Sequence, residues 1–191
     1  MNLPSLDSIE TPAALVEVDR LEQNLQKAAA YVRERGLRWR PHTKTHKVPE
    51  LAARQLQAGA AGVTVATPRE AEVMGTVAED VLLAYSPVGA SKLARLMALP
   101  RRVRLSVSVD SREVLAGLRE AVRASGRTVG VLVELDLGMR RVGVPSPEEA
   151  VALVVPNHVC VSVNHQDELW AVRGEQVVGR WEVMGRGRGP V

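Results

Sequence analysis

Strand-like and helix-like patterns of hydrophobic residues alternate along most of the chain. Runs with apolar or strictly alternating character predict strands at 37–44, 61–66, 80–86, 103–109 and 129–136. Between them, amphipathic patterns opened by Pro, Ser or Asp predict helices at 47–58, 68–78, 90–99 and 111–125. Strands that alternate with helices across short loops predict right-handed βαβ units and a parallel sheet.

The chain before these strands predicts one more strand and a long helix. Ala13–Val18 is apolar enough for a strand, and Asp19 is a suitable N-cap for a helix that continues to about Arg35. Gly36 is the expected stop, because glycine readily adopts the left-handed conformation that ends a helix.

Each predicted strand has one apolar and one polar face. In 103–110 the odd positions are valine or leucine, whereas the even positions are Arg, Ser, Ser and Asp. The runs 37–44 and 129–136 divide in the same way. Since side chains alternate across a strand, the apolar face is expected to pack on helices and the polar face to line an interior. The small residues expected to point inward and leave space for a ligand are Thr64, Ala84, Ser106 and Ser108.

These features predict an α/β fold: an incomplete TIM-type (β/α) barrel with about five of the eight barrel strands, followed by a short C-terminal β segment. In such a barrel the carboxyl ends of the strands build the site. The alternative is a mixed sheet with one face in solvent.

The composition and charge argue against some classes of binding partner. The net charge of +3 comes from scattered arginines with few aromatic residues, which argues against nucleic-acid binding. The single cysteine, Cys160, excludes an intrachain disulfide and suits a reducing compartment. No signal-peptide pattern and no bilayer-length apolar run is present, so we expect a cytoplasmic protein without a membrane partner.

The stretch RPHTKTHK at 40–47 is unusually basic for the end of a buried strand. The alternation places this charge toward the interior, where Glu134 and Asp136 could balance it. One interpretation is a ligand site around Lys44; the other is that Lys44 pairs with Asp136 or Asp110.

The segment from Glu10 to about Leu153 resembles the barrel of the D-serine dehydratase and D-threonine aldolase family, pyridoxal-phosphate enzymes of the alanine racemase fold (fold type III). The resemblance lies in TPAALV at 11–16, RPHTKTHK at 40–47, GVTVATPREAEVM at 62–74 and ELDLGMRRVGV at 134–144. VVPNHVC at 154–160 is similar to the metal-binding part of the family's C-terminal β domain.

The resemblance implies a cofactor site. Lys44 corresponds to the family's lysine that holds pyridoxal 5′-phosphate as a Schiff base, and His42 lies in the same cofactor-binding stretch. Cations at Arg40, His42 and Lys47 would favour a neutral, reactive lysine amine. Arg141, in the G-x-x-R-x-G turn, corresponds to the arginine near the cofactor's phenolic oxygen.

The resemblance also implies a metal site. His158 and Cys160 resemble the His-x-Cys pair of the family's dehydratases, whereas its D-threonine aldolases tend to have Asp at the second position. Imidazole and thiolate favour Zn²⁺ over Mn²⁺ or Mg²⁺.

The chain departs from the family in its length. A helical pattern at 147–153 runs into 154–157 without turn residues, which suggests a large internal deletion between about Ala150 and Val155. We therefore expect a partial barrel domain at 1–153 and a remnant of the β domain at 154–191. Open sheet edges would favour a homodimer or other self-association.

The function implied is a lyase acting on D-3-hydroxy amino acids, for example converting D-serine to pyruvate and ammonia. A retro-aldol lyase of the D-threonine aldolase type, a non-catalytic pyridoxal-phosphate-binding protein and an inactive remnant are the alternatives.

Overall fold

The computed structural model describes residues 8–154, 168–173 and 176–182. The helices in these residues are α1 (Val18–Glu34), α2 (Pro49–Gln57), α3 (Pro68–Met74), α4 (Ala90–Met97), α5 (Arg112–Ser125) and α6 (Pro147–Val154). The strands are β1 (Val63–Val65), β2 (Asp80–Leu83), β3 (Arg104–Val109), β4 (Gly130–Val133), β5 (Glu168–Arg173) and β6 (Gln176–Glu182).

The strands β1 to β4 form an open parallel sheet whose spatial order follows the chain. Helices α3, α4 and α5 connect consecutive strands, as the alternating pattern predicts. The strands β5 and β6 form a separate antiparallel hairpin in the predicted C-terminal β segment. The α/β class is thus confirmed, and the open sheet is consistent with an incomplete barrel. Among the described residues, no helix is both long and apolar enough to cross a membrane.

The prediction of a regular strand at 37–44 is wrong in detail. The segment is extended beside β1, but its ladder is limited to an isolated bridge between His42 and Thr64. Two backbone bonds hold it there, from Ala61 N to Trp39 O at 2.9 Å and from Thr64 N to Pro41 O at 2.8 Å. Pro41 has no N–H to donate, and a 3₁₀ turn at Thr43–Thr45 ends the extended run.

The N-terminal prediction is correct for the helix and wrong for the strand. Residues 13–17 join no sheet, and α1 begins at Val18 with Glu17, rather than Asp19, at the N-cap position. The helix ends as predicted, because Gly36 adopts a φ of 61° and Leu37 N then bonds to Val32 O at 2.8 Å.

The helix-facing side of the sheet is the apolar side, as the alternation predicts. Seven valines and leucines on this face are at most 1% exposed: Val63, Val65, Val81, Leu83, Leu105, Val107 and Val109. They belong to one core with buried residues of the connecting helices, such as Met74, Leu96 and Leu118. Burial of this face supplies the main stabilising term of the domain.

The opposite side of the sheet carries most of the polar and small residues, with Leu82 and Leu132 as apolar exceptions. Thr64, Leu82, Ser106 and Gly130 are register partners in one row across the four strands. Nearer the amino ends, Asp80 is the register partner of Arg104. The predicted alternation is therefore confirmed in β3, whereas β2 and β4 place Leu82 and Leu132 on the polar side.

The last strand of this sheet is poorly covered. Val131 and Leu132 point to opposite faces of β4 and are 47% and 45% exposed. Beyond β4, Leu135 pairs with Val144 through an isolated parallel bridge. The sheet thus ends in an apolar edge rather than closing on itself within the described residues.

Candidate active site

The predicted site residues lie where the parallel strands end. This end of the sheet, at the carboxyl termini of its strands, is called the carboxyl edge. The turn with Lys44 follows the extended segment beside β1, and the loop with Arg141 follows β4 at the other side of the sheet. Between them, the segments after β2 and β3 contribute Ser86 and Asp110. Lys44 and Arg141 thus both lie at the carboxyl edge, but on opposite sides of the four-stranded sheet.

The turn that carries Lys44 is fixed by its neighbours. Thr43 is fully buried, and its Oγ1 donates a hydrogen bond to Thr64 O at 3.1 Å. The backbone N–H of Lys44 donates to Nδ1 of His42 at 3.3 Å. The side chain of Lys44 is exposed, and its Nζ makes no hydrogen bond or ion pair with the described residues. The structure therefore holds the backbone in place and leaves the amine free.

His42 is a neutral neighbour of this turn. Partial burial, together with the positive charges of Lys44 and Lys47, lowers the pKa of His42 below its ordinary value. The nearby Glu70 carboxylate and a backbone bond to Thr64 oppose this shift without reversing it. Near neutral pH the imidazole is therefore uncharged, with Nδ1 serving as a hydrogen-bond acceptor.

Lys47 is the second lysine of the basic stretch, and a carboxylate holds it. Its Nζ donates to Oε1 of Glu70, whose Oε2 accepts the N–H of Ala66 at 2.8 Å. Glu70 is only 7% exposed and lies in the first turn of α3, capped by the Oγ1 of Thr67 at 3.2 Å. Burial alone would raise the pKa of Glu70, but the bonds from Lys47 and Ala66 lower it overall.

The predicted field of positive charge around Lys44 is thereby reduced. Arg40 pairs with Asp80, the first residue of β2, at the amino ends of the strands. Lys47 is neutralised by Glu70, and His42 is uncharged. The expectation that Arg40, His42 and Lys47 together surround Lys44 with charge is wrong, because two of these cations have carboxylate partners.

The far end of the edge is acidic. Ser86 Oγ donates to Oδ1 of Asp110 at 2.9 Å. Burial raises the pKa of Glu134, Asp110 raises it further, and the positive charge of Arg141 opposes the shift. Oε2 of Glu134 is buried and has no hydrogen-bond partner within the part of the chain that the structure describes. An unpartnered buried oxygen at the end of β4 marks a place where a polar group of a ligand could bind.

The loop with Arg141 is shaped by its own backbone. Oδ1 of Asp136 accepts the N–H groups of Gly138 and Arg140, at 2.8 and 3.0 Å. Gly143 adopts a φ of 99°, and a Cβ there would lie 2.5 Å from Asp136 N. The expectation that Glu134 and Asp136 balance the basic stretch is not met, since Glu134 faces Asp110 and Arg141 while Asp136 caps its own loop. The alternative pairing of Lys44 with Asp136 or Asp110 is also absent from the described contacts.

The predicted metal ligands, His158 and Cys160, lie outside the described residues. Within residues that the structure does describe, no group of three or more His, Cys, Asp or Glu side chains could hold a metal ion. The zinc site therefore stays a prediction from the sequence.

Comparison with known proteins settles the family. The family described as "Alanine racemase, N-terminal domain" matches residues 16–169. The chain belongs to this family. It is 34% identical over 149 residues to a D-threonine aldolase of an Arthrobacter species, covering 78% of this chain and 39% of that protein.

Other members resemble the chain to a similar degree. A D-threo-3-hydroxyaspartate dehydratase of Delftia sp. (strain HT23) is 34% identical over 155 residues, covering 79% of this chain and 40% of that protein. The crystal structure of a D-threonine aldolase from Filomicrobium marinum superimposes with a TM-score of 0.76 at 39% identity, covering 80% of this chain and 43% of that one. The chain thus spans about two fifths of the length of these family members.

Two carboxylates that bind cations of the basic stretch, Glu70 and Asp80, were not recognised from the sequence. Glu70 had a readable signal, because Thr67 and Glu70 have the T-x-x-E spacing of a capping box, but its partner Lys47 is set by tertiary contact. Asp80 had no signal as the partner of Arg40, since the two are 40 positions apart in sequence.

Proposed function

We propose that the chain is the cofactor-binding part of a pyridoxal-phosphate-dependent lyase that acts on D-3-hydroxy amino acids, with Lys44 as the lysine that carries the cofactor. The observation that carries the proposal is the exposed amine of Lys44, which has no partner among the described residues and lies in a hydrogen-bonded turn at the carboxyl ends of the parallel strands. The aldolases and dehydratases among the chain's relatives support the substrate class.

The described residues fit pyridoxal phosphate on chemical grounds. An aldehyde needs a free amine, which Lys44 offers, and an uncharged imidazole beside it, His42, can accept or donate a hydrogen bond. Ala84 and Ser108 are small residues at the carboxyl ends of β2 and β3. Arg141 at the far end offers a cation toward an anionic oxygen.

When bound, the cofactor supplies an electron sink that stabilises negative charge at the substrate's Cα. The chain's own residues would do the rest. The Nζ of Lys44 would hold the cofactor between turnovers and, when the substrate amine has taken its place, would accept the proton from the substrate's Cα. The Nδ1 of His42 would keep the Lys44 backbone in place, and Arg141 would favour the anionic form of a nearby ring oxygen.

The metal would be held by His158 and Cys160, a pair whose donor atoms suit Zn²⁺ better than Mn²⁺ or Mg²⁺. Its chemistry would be that of a Lewis acid at the substrate's β-hydroxyl. D-Serine, with elimination to pyruvate and ammonia, is the substrate that we propose first.

A retro-aldol reaction is the second candidate. D-Threonine aldolase and 3-hydroxy-D-aspartate aldolase are among the relatives at 33–34% identity, as is a dehydratase at 34%. Cys160 favours the dehydratase, because the resemblance associates that position with Asp in D-threonine aldolases. A non-catalytic cofactor-binding protein or an inactive chain is the outcome to expect if the described half of the site is insufficient.

The test is cofactor labelling of the purified full chain. Pyridoxal phosphate is added, the visible absorption band is recorded, and borohydride reduction followed by peptide mapping locates the label. We expect label on Lys44 and its loss in Lys44→Ala, with Lys92→Ala as the matched control on the exposed face of α4. Label that is absent, or equal on all lysines, would contradict the proposal.

Activity separates the two reactions. Labelled chain is assayed with D-serine and D-threonine, with and without Zn²⁺. Pyruvate from D-serine supports the dehydratase, and glycine with acetaldehyde from D-threonine supports the aldolase. A chain that is labelled on Lys44 but inactive on both would be a cofactor-binding protein.

A further inference from the structure

Two lysines lie three residues apart in the basic stretch, and both have exposed side chains. Lys44 is exposed, and the side chain of Lys47 is 61% exposed although its Nζ contacts Glu70. Exposure alone would therefore let either amine react with an aldehyde. Selection between them must come from their partners, and here the two lysines differ.

We propose that Glu70 determines which lysine carries the cofactor, by binding the Lys47 ammonium and leaving the Lys44 amine free. This inference rests on the proposed function. It adds a selectivity-determining residue to the site, one that acts on the cofactor through Lys47 and does not touch it.

The burial of Glu70 explains why the selection is effective. The Glu70 side chain is 8% exposed, and its charge is balanced by one described cation, Lys47. Reaction with an aldehyde requires the ammonium to give one proton to solvent, after which the amine nitrogen bonds to the aldehyde carbon and water leaves. At Lys47 this would leave a buried carboxylate without its cation, which is costly. At Lys44 no carboxylate of the described residues loses a partner.

Hydrogen bonds to neighbouring backbone and side-chain groups hold Glu70 in the position where it binds Lys47. Its Oε2 accepts the Ala66 N–H at 2.8 Å, and its own N–H bonds to Thr67 Oγ1 at 3.2 Å. Lys47 adopts a φ of 58°, and its N–H bonds to Thr43 O at 2.8 Å, at the start of the Lys44 turn. The ion pair thus joins α3 to the turn that carries the reactive lysine.

The experiment compares lysine reactivities in the full chain without added cofactor. A trace of acetic anhydride labels amines in competition, and peptide mass spectrometry gives the reactivity of Lys47 and Lys44 relative to the exposed Lys92. In Glu70→Gln we expect the acetylation of Lys47 relative to that of Lys44 to rise about three- to fivefold. A change of this size corresponds to the loss of an ion pair that is partly exposed to solvent. Lys47→Arg, which keeps the pair, should leave the reactivity of Lys44 relative to Lys92 unchanged.

The same variants are then labelled with pyridoxal phosphate and borohydride. More label on Lys44 than on Lys47 in the parent chain, and a smaller excess on Lys44 in Glu70→Gln, would support the inference. An unchanged acetylation ratio in folded Glu70→Gln would overturn it, whatever the cofactor does. Failure of the parent chain to take label on Lys44 would instead overturn the proposed function, while the acetylation ratio still decides whether Glu70 restrains Lys47.

Loss of folding in Glu70→Gln is covered by a second measurement on the parent chain. Far-UV circular dichroism reports the fold, and acetylation is repeated in native buffer and in denaturing urea. We expect Lys47 to be protected relative to Lys92 only in the native chain. Equal reactivity of Lys47 and Lys92 in native buffer would also overturn the inference.

Discussion

The Arg40 guanidinium passes over Gly62 to pair with the carboxylate of Asp80, joining the segment before the Lys44 turn to the start of β2. Arg104 binds the other oxygen of the same carboxylate, at 2.8 Å. Asp80 thus connects the extended segment, β2 and β3 at the amino ends of the strands. Through this contact, the segment that leads into the Lys44 turn is joined to the amino ends of β2 and β3.

We expect Asp80→Ala to destabilise the protein by about 1–3 kcal/mol, because it leaves the half-buried guanidinium of Arg40 without its carboxylate partner. Arg104→Ala is the matched control. The Arg104 side chain is 75% exposed, so its loss should cost less than about 1 kcal/mol. Urea unfolding of both variants measures the difference, and equal costs would contradict a special role for the Arg40 contact.

Gly62 is needed for the same contact. A Cβ at this position would lie 2.6 Å from Asp80 O and would also collide with the Arg40 guanidinium. We expect Gly62→Ala to lower the free energy of unfolding by about 1–3 kcal/mol through overpacking. Gly117→Ala in α5 should instead stabilise by about 0.5–1 kcal/mol, since its Cβ would meet only Leu93 Cδ1 at 3.5 Å. Thermal unfolding distinguishes the two signs.

Acid should weaken the fold through Asp80 and Glu70. Burial raises the pKa of each, but ion-pair hydrogen bonds from Arg40 and Lys47 lower it below the ordinary values of 3.8 and 4.5. A carboxyl whose pKa is lowered by folding adds stability above its unfolded pKa and loses it as pH falls through the folded one. Unfolding free energy should therefore fall steadily below about pH 4.5, where the unfolded chain binds more protons.

The double variant Asp80→Asn, Glu70→Gln provides the control. It should be less stable than the parent at pH 6 and should lose less stability between pH 6 and pH 3. Urea midpoints measured across this range give the two slopes. Parallel slopes would show that other carboxyls govern the acid transition.

Glu134 should have the opposite effect on the pH dependence of stability, because its pKa is raised by folding. Burial and the nearby Asp110 raise the pKa of Glu134, and one of its oxygens is buried without a hydrogen-bond partner among the described residues. The stability supplied by its protonated form is complete below the ordinary value of 4.5 and is lost as pH rises through the folded pKa. Glu134→Gln keeps the side chain neutral at every pH, so it should be about 1 kcal/mol more stable than the parent at pH 7.

The gain from Glu134→Gln should disappear near pH 4, where the parent's carboxyl is also protonated. Arg141→Ala should have the opposite effect at pH 7, because it removes the cation that favours the ionised form. Chemical unfolding at the two pH values checks both variants. A gain in Glu134→Gln that is independent of pH would indicate altered packing rather than charge.

The sequence pattern predicted the sheet because its strands obey local rules. The alternation in 103–109 and the Pro or Ser at helix starts place β3, α3 and α5 close to their predicted bounds. The run 37–44 followed the same alternation, yet Pro41 and the turn at 43–45 leave it with only one bridge. A proline in a strand pattern was the available signal for that difference.

For the candidate site, the sequence by itself determined which residue types are present and on which face of each strand they lie, since side chains alternate along any strand. This was enough to expect Lys44, Asp110 and Asp136 at or near the carboxyl ends of the strands, whereas Arg141 was expected near the cofactor from the family resemblance alone. Only the tertiary structure decided the partners: Lys47 with Glu70 and Arg40 with Asp80. Such pairs join residues 23 and 40 positions apart, and the choice among possible partners depends on distances that exist only after the strands have assembled.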